Sequence, residues 1–290
     1  MIASMRLRRT DRFYTDVRTM RARLTEHQDP SLGRPPREIR EALDVEDTTV
    51  DGCTCWTLRP RAGPRSPMHV LHLHGGGFVE EMGAHHWWFA HRLIDALGCA
   101  VTFPMFPLVP EHDHRTIWPM VRRSYEELLG PSRPEDRVIM GDSAGGGLTL
   151  SLSQLLRDRG DAQPSRLVLL SPWLDLGVSD PLAERIAPRD PVLGIEGLRQ
   201  AGLWYANGTA LDDPEISPVH ADLSGLGRTA VFVGTRDLLL ADARRLRREA
   251  AWLGQHVTLR EYEGMFHNWI MQPLQEARRA RADLLRFLLE

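Results

Sequence analysis

The clearest chemical signal in the chain is a serine set among glycines, since residues 141–147 read GDSAGGG. The segment follows a short apolar run at 138–140 and precedes a helix-like stretch at 148–156. Gly-x-Ser-x-Gly between a strand and a helix is typical of a nucleophile elbow, in which strained backbone exposes the serine hydroxyl. The alternative is a glycine-rich helix start that binds a phosphate. Because strand, motif and helix agree, the pattern predicts that Ser143 is a nucleophile.

A second glycine-rich segment could supply hydrogen-bond donors to such a nucleophile. Residues 72–78 read HLHGGGF and follow another apolar run. Acyl transfer requires donors for the oxyanion, one of which is expected from the amide after the nucleophile, at Ala144. Glycines allow bare N–H groups to approach the developing charge, so we predict that Gly76 and Gly77 supply the other donors.

A serine nucleophile also needs a base and an orienting acid, in the chain order Ser, Asp or Glu, His. Asp237 follows a strand-like run at 231–233, and His267 lies between the last predicted strand and the last predicted helix. We therefore predict a triad of Ser143, Asp237 and His267. The alternative acid is Asp242, but it lies at a predicted helix start, where stabilisation of the helix N-terminus accounts for a carboxylate.

The elements that must position these residues follow one alternating pattern. A mixed, mostly polar segment at 11–26 predicts a helix, and residues 48–58 predict a hairpin. Apolar runs then alternate with segments of helical period. The runs lie at 69–73, 100–103, 137–140, 167–170, 230–233 and 257–262, and the helices near 85–97, 117–129, 144–158, 241–254 and 273–289. This alternation predicts an α/β fold with a mostly parallel central sheet.

The pattern is interrupted at about 180–224, where five prolines occur between 181 and 218 and a helix is predicted at 194–207. The segment is long for a connection between neighbouring elements. It is therefore predicted to be an insertion above the sheet, that is, a cap.

Together these motifs resemble the hormone-sensitive-lipase-like (bacterial family IV) branch of the α/β-hydrolases. The resemblance covers about residues 68–287 and depends on HGGG at 74–77, GDSAGG at 141–146, Gly234-x-x-Asp237 and the loop of His267. It implies one α/β-hydrolase domain over 1–290, with a helical cap formed by about 1–40 and 180–224. It also implies carboxylesterase activity, the triad named above, and an oxyanion hole formed by Gly76, Gly77 and Ala144.

The chain departs from that family in two loops. The family usually has Tyr-Arg-Leu-Ala-Pro-Glu after its second strand, whereas residues 106–111 read FPLVPE, which removes the tyrosine and arginine hydrogen bonds that brace the loop. Residues 266–269 read FHNW in place of the commoner His-Gly-Phe, so the loop around the base is bulkier.

Aromatic residues and histidines outside these motifs have mostly structural interpretations. Trp87, Trp88 and Trp204 are candidates for the wall of a substrate pocket, although aromatic side chains are more often core. The pairs His72-x-His74 and His112-x-His114 have the spacing of metal ligands, but no carboxylate or cysteine cluster completes a site, so no metal is predicted.

Composition excludes several classes of function. The chain has no lysine among its 36 basic residues, which rules out Schiff-base lysines and the P-loop lysine. A net charge of −3 gives no general attraction to nucleic acid or anionic membrane. The three cysteines have no framework spacing, and neither a signal peptide nor an 18-residue apolar span is found, so a cytoplasmic location is expected.

The function predicted from the sequence is that of a serine hydrolase that cleaves short-chain carboxylic esters through an acyl-enzyme, with no cofactor. The expected partner is a small-molecule ester, and a homodimer is compatible with the sequence. Two alternatives stay open: an amidase or N-deacetylase with the same triad, and a non-catalytic small-molecule receptor on the same scaffold.

Overall fold

A single mostly parallel sheet forms the centre of the computed structural model, which describes residues 13–290; the predicted cap residues 1–12 lie outside this part. Its eight strands are β1 (Leu43–Val50), β2 (Cys53–Pro60), β3 (His69–Leu73), β4 (Ala100–Pro104), β5 (Arg137–Asp142), β6 (Arg166–Leu170), β7 (Thr229–Gly234) and β8 (Val257–Tyr262). Their order is β1-β2-β4-β3-β5-β6-β7-β8, with antiparallel pairing only at β1–β2 and β2–β4. The predicted α/β architecture and the hairpin are confirmed, and both hairpin strands are longer than expected.

Helices cover both faces of this sheet. They are α1 (Val17–His27), α2 (Arg37–Ala42), α3 (Ala84–Leu97), α4 (His114–Ser124), α5 (Ala144–Asp158), α6 (Pro181–Ile186), α7 (Ile195–Ala206), α8 (Leu240–Trp252) and α9 (Gln275–Leu289). The first begins later than the predicted 11–26, because the Asp16 side chain caps it by accepting from the N–H groups of Arg18 and Thr19. The helix expected at 117–129 begins at His114 and changes to one π turn after Ser124.

Alternation along the strands divides the core into two layers. Val70 packs with α3 and α9 on one face, whereas its neighbour Leu71 packs with α5 and α8 on the other. Both faces of the sheet are therefore covered and buried, which explains the continuous apolar runs in the sequence. Because the parallel strands all point one way, the loops that follow β3, β5, β7 and β8 meet at one edge of the sheet.

The long connection from β6 to β7 contains α6 and α7 and contacts the N-terminal segment. The N–H of Gly197 in α7 donates to the Tyr14 carbonyl oxygen at 3.0 Å. A Cβ added at Gly197 would lie 2.1 Å from that oxygen, so only glycine allows this approach. The described parts of the two segments assigned to a cap are thus in contact.

Candidate active site

Ser143 lies in a sharp turn between β5 and α5. Its backbone angles, φ of 52° and ψ of −120°, lie in a region that residues other than glycine rarely adopt. Its N–H donates to the Leu170 carbonyl oxygen at 2.9 Å, and its own carbonyl oxygen accepts from the Trp173 N–H at 2.9 Å. A Cβ at Gly141 would lie 2.1 Å from the Gly145 oxygen, so the glycines allow the strand and the helix to approach. The local structure is that of a nucleophile elbow.

Asp237 and His267 meet at the same edge of the sheet. Nδ1 of His267 lies 3.0 Å from Oδ2 of Asp237, and Oδ1 of Asp237 accepts from the Leu239 N–H at 3.0 Å. Burial opposes the charged imidazolium, but the charges of Asp237 and Asp190 and the hydrogen bond to Asp237 outweigh it, so the pKa of His267 is raised. His267 and Ser143 line one cavity, so the structure brings the three predicted residues together.

The glycine-rich loop after β3 borders the same cavity. Gly76 and Gly77 have φ values of 104° and 58°, which favour glycine. The Gly76 carbonyl oxygen accepts from the N–H groups of Val79 and Glu80, both at 2.9 Å, and so fixes the turn. Among the described residues, no partner accepts from the N–H groups of Gly76, Gly77 or Ala144. Of these three residues, Gly76 lines the cavity.

Tyr14 and His27 brace this loop through a carboxylate that sequence reasoning missed. The Tyr14 hydroxyl donates to Oε2 of Glu80 at 2.5 Å, and Nδ1 of His27 lies 2.5 Å from Oε1 of Glu80. The Tyr14 ring also lies against Gly77, where an added Cβ would be 2.9 Å from a ring carbon. No motif signals the cluster, because Tyr14 and Glu80 are 66 positions apart.

A buried network joins the elbow to the loop of the base. Asp142 accepts from Nδ2 of Asn268 at 2.7 Å, and it contacts Nε2 of His72 at 3.0 Å and Nε2 of His86 at 3.2 Å. Burial opposes ionisation, but the two imidazoles outweigh it and hold the pKa of Asp142 well below its usual range. His72 is therefore a hydrogen-bonding partner of this carboxylate. Asn268, next to His267, is fixed by the residue that precedes Ser143.

The cavity above Ser143 has a volume of about 620 Å³ and a partly polar lining. Its aromatic members are Tyr14, Trp87 and Phe266, and its polar members include Glu80, Glu81, His85, Asn268 and Gln272.

Two of the three tryptophans predicted for the pocket lie elsewhere. Trp88 follows the buried Trp87 on α3, so helical periodicity turns it outward, where it is 39% exposed and contacts His91. Trp204 lines a separate cavity of about 170 Å³ and lies under the Arg21 guanidinium. Only Trp87 lines the cavity above Ser143.

The altered loop after β4 has its own braces. Nε2 of Gln28 donates to the Val109 carbonyl oxygen at 2.6 Å, and the Phe106 ring stacks on His74 with centroids 4.2 Å apart. These contacts brace the loop that lacks the tyrosine and arginine of the family pattern.

Asp242 lies in the first turn of α8, where the sequence predicted a helix start, and its side chain also holds a loop. Its Oδ2 accepts from the N–H groups of Leu174 and Asp175, at 2.9 and 3.1 Å, and its side chain is buried. Burial raises its pKa to about 8. Nothing in the structure brings it to His267, whose partner is Asp237.

Within residues 13–290, no group of three or more His, Cys, Asp or Glu side chains is arranged to hold a metal ion. No helix in the same range combines the length and apolar character needed to cross a membrane.

Known proteins share this architecture and about a third of the aligned residues. Residues 70–271 match a family model described as the alpha/beta hydrolase fold. The chain is 34% identical over 254 residues to an acetyl-hydrolase of Streptomyces hygroscopicus, which covers 86% of this chain and 81% of the relative. It is also 34% identical over 223 residues to an esterase of Acinetobacter venetianus, with 75% and 73% covered. A solved esterase from the bacterial hormone-sensitive lipase family superposes with a TM-score of 0.79 at 31% identity, covering 86% of this chain and 84% of that one.

Proposed function

Because the chain belongs to the hormone-sensitive-lipase-like branch of the alpha/beta hydrolase fold family and is an ester-hydrolysing enzyme, we propose that Ser143, Asp237 and His267 are its catalytic triad. The observation that supports this most directly is the 3.0 Å contact between His267 and Asp237 beside a cavity that Ser143 also lines. The strained backbone of Ser143 supports it independently.

The acylation step follows from these positions. His267 takes the hydroxyl proton of Ser143 as the oxygen attacks the ester carbonyl, and Asp237 stabilises the imidazolium that forms. The oxyanion is stabilised by the N–H groups of Gly76, Gly77 and Ala144. His267 then returns the proton to the departing alkoxide, and the acyl group stays on Ser143.

Deacylation repeats the sequence with water as the nucleophile. His267 takes a proton from the water, the same three amides stabilise the second oxyanion, and Ser143 leaves with the proton restored.

We further propose that the substrate is a short-chain ester, enclosed by a cap formed by about residues 1–40 and 180–224. The cavity of about 620 Å³ has polar side chains in its wall, and the relative from Streptomyces hygroscopicus is named for an acetyl group. Because that name does not specify the bond, a second candidate is N-deacetylation by the same triad, with His267 protonating the leaving amine. Paired aryl acetate and acetanilide substrates distinguish the two.

The assignment of the nucleophile is tested with a matched pair of serine variants. Ser143→Ala should lower kcat on a p-nitrophenyl ester by about a thousandfold or more, because the attacking oxygen is lost. Ser151→Ala, on the outer part of α5, should retain wild-type kcat. A fluorophosphonate should add one group to the wild-type protein, on Ser143; an adduct that maps to another serine would move the active site.

A further inference from the structure

Asp190 is a second acid beside the proposed triad, and the inserted segment supplies it. It follows the short turn Ala187–Arg189, and its carboxylate accepts three backbone hydrogen bonds. Oδ1 accepts from Val192 N–H at 2.8 Å and from Leu193 N–H at 3.0 Å. Oδ2 accepts from Leu238 N–H at 2.8 Å, across 48 positions of sequence.

The hydrogen bond from Leu238 connects Asp190 to the turn that carries Asp237, the proposed acid of the triad. Leu238 follows Asp237, and Asp237 itself accepts from the next N–H, that of Leu239, at 3.0 Å. Two carboxylates thus hold consecutive amides of one turn. The orientation of Asp237 toward His267 depends on that turn, so Asp190 acts on the triad through Leu238.

Asp190 also fixes part of the cavity wall. Val192 and Leu193, whose amides it holds, line the cavity together with Ser143. The same side chain therefore connects the surface that meets the substrate to the turn that orients the base.

The charge of Asp190 reaches the base as well. Burial and the charge of Asp237 raise the pKa of Asp190 above its usual range, and the charge of Asp190 in turn contributes to the raised pKa of His267. The other ionisable groups that act on His267 are Asp237 after β7, Asp142 at the end of β5 and His85 in α3. Asp190 is the member of this set that comes from the insertion.

We propose that Asp190 is a positioning residue for ester hydrolysis, which holds the turn of Asp237 against the cavity wall. This inference rests on the proposed triad.

The test compares Asp190→Asn, Asp190→Glu and the control Asp213→Asn across a pH profile. Asp190→Asn should lower the high-pH plateau of kcat about tenfold, because one amide oxygen cannot accept from three N–H groups directed at two oxygens. It should also move the acid limb of kcat/KM to lower pH, because a negative charge near His267 is lost. Asp190→Glu keeps the charge, so its acid limb should stay in place while its plateau falls. Asp213 accepts only from its own turn, at Glu215 N–H, and its variant should match the wild type.

The outcomes separate this inference from the proposed function. If Asp190→Asn keeps both the wild-type plateau and the wild-type acid limb, the proposal is wrong. The assignment of the triad would still stand in that case, because it is tested separately by the loss of activity in Ser143→Ala. A rise in KM at the wild-type plateau of kcat would make Asp190 a residue of the cavity wall alone and would also overturn the proposal. Circular dichroism checks the fold of each variant, and Asp190→Glu carries the test if the asparagine variant does not fold.

Discussion

At the scale of single residues, two buried carboxylates near the end of β7 illustrate how environment decides a role. Asp237 contacts an imidazole and accepts from one backbone N–H. Asp242 accepts from two backbone N–H groups through a single oxygen, and burial raises its pKa to about 8. A neutral carboxyl group can make both contacts of Asp242 through one oxygen. The two acids are five positions apart, yet only the first is placed to orient a base.

The environment of Asp242 leads to a prediction about stability. A folded pKa of about 8 against an ordinary value of 3.8 means that the folded state holds a proton between these limits that the unfolded state releases. The wild-type free energy of unfolding therefore falls as pH rises from about 4 to 8, by at most about 1.4 kcal/mol per unit from this group. Asp242→Asn does not titrate, so its stability relative to the wild type should increase over that range.

Urea denaturation at several pH values measures this difference, and ester turnover provides the control. The variant should retain most of the wild-type kcat, since Asp242 does not contact His267. A stability difference that stays flat from pH 5 to pH 8 would show that Asp242 is ionised in the folded protein.

At the scale of elements, the N-terminal segment braces the glycine loop that carries two of the proposed oxyanion donors. Tyr14→Phe removes only the hydroxyl that donates to Glu80, a hydrogen bond to a charged group. We expect kcat to fall about tenfold with little change in KM, because the donors act mainly on the transition state. Tyr262→Phe removes a similar bond, to Asp283, outside the loop and should leave kcat unchanged. Equal effects of the two variants would refute a specific role for Tyr14.

The same elements show what the sequence could and could not predict. Strand ends, chain order and the glycine motifs predicted that Ser143 and His267 lie at one edge of the sheet, where both line the same cavity, because parallel strands bring their loops to one edge. Asp190 and Glu80 were missed because their partners are 48 and 66 positions away and belong to segments without a motif. Trp88 and Trp204 were misplaced because composition identifies aromatic residues without giving the side of a helix on which they lie.

At the scale of the whole molecule, the volume of the cavity and the polar side chains in part of its wall limit the substrate. Each methylene that contacts apolar wall should contribute up to about 0.8 kcal/mol, but Glu81, His85 and Gln272 offer polar surface that a longer chain would desolvate. We expect kcat/KM for p-nitrophenyl esters to be highest between acetyl and hexanoyl and to fall by decanoyl. No activation should occur at an oil–water interface. The rate of each ester is measured with the wild-type protein, and the rate found with Ser143→Ala is subtracted as background. A steady rise of kcat/KM up to the palmitoyl ester would identify a lipase instead.

The backbone of the elbow has a consequence for motion. Both the N–H and the carbonyl oxygen of Ser143 are bonded to residues at or after the end of β6, so the turn cannot open without separating neighbouring strands. The adjacent Ala144 amide has no partner among the described residues. Hydrogen exchange at these two neighbouring amides should therefore follow different routes, since one requires cooperative unfolding and the other only access of solvent to the cavity. The Ser143 carbonyl group and the Ala144 N–H belong to one peptide plane, so the hydrogen bond from Trp173 fixes the direction of the proposed oxyanion donor together with the backbone of the proposed nucleophile.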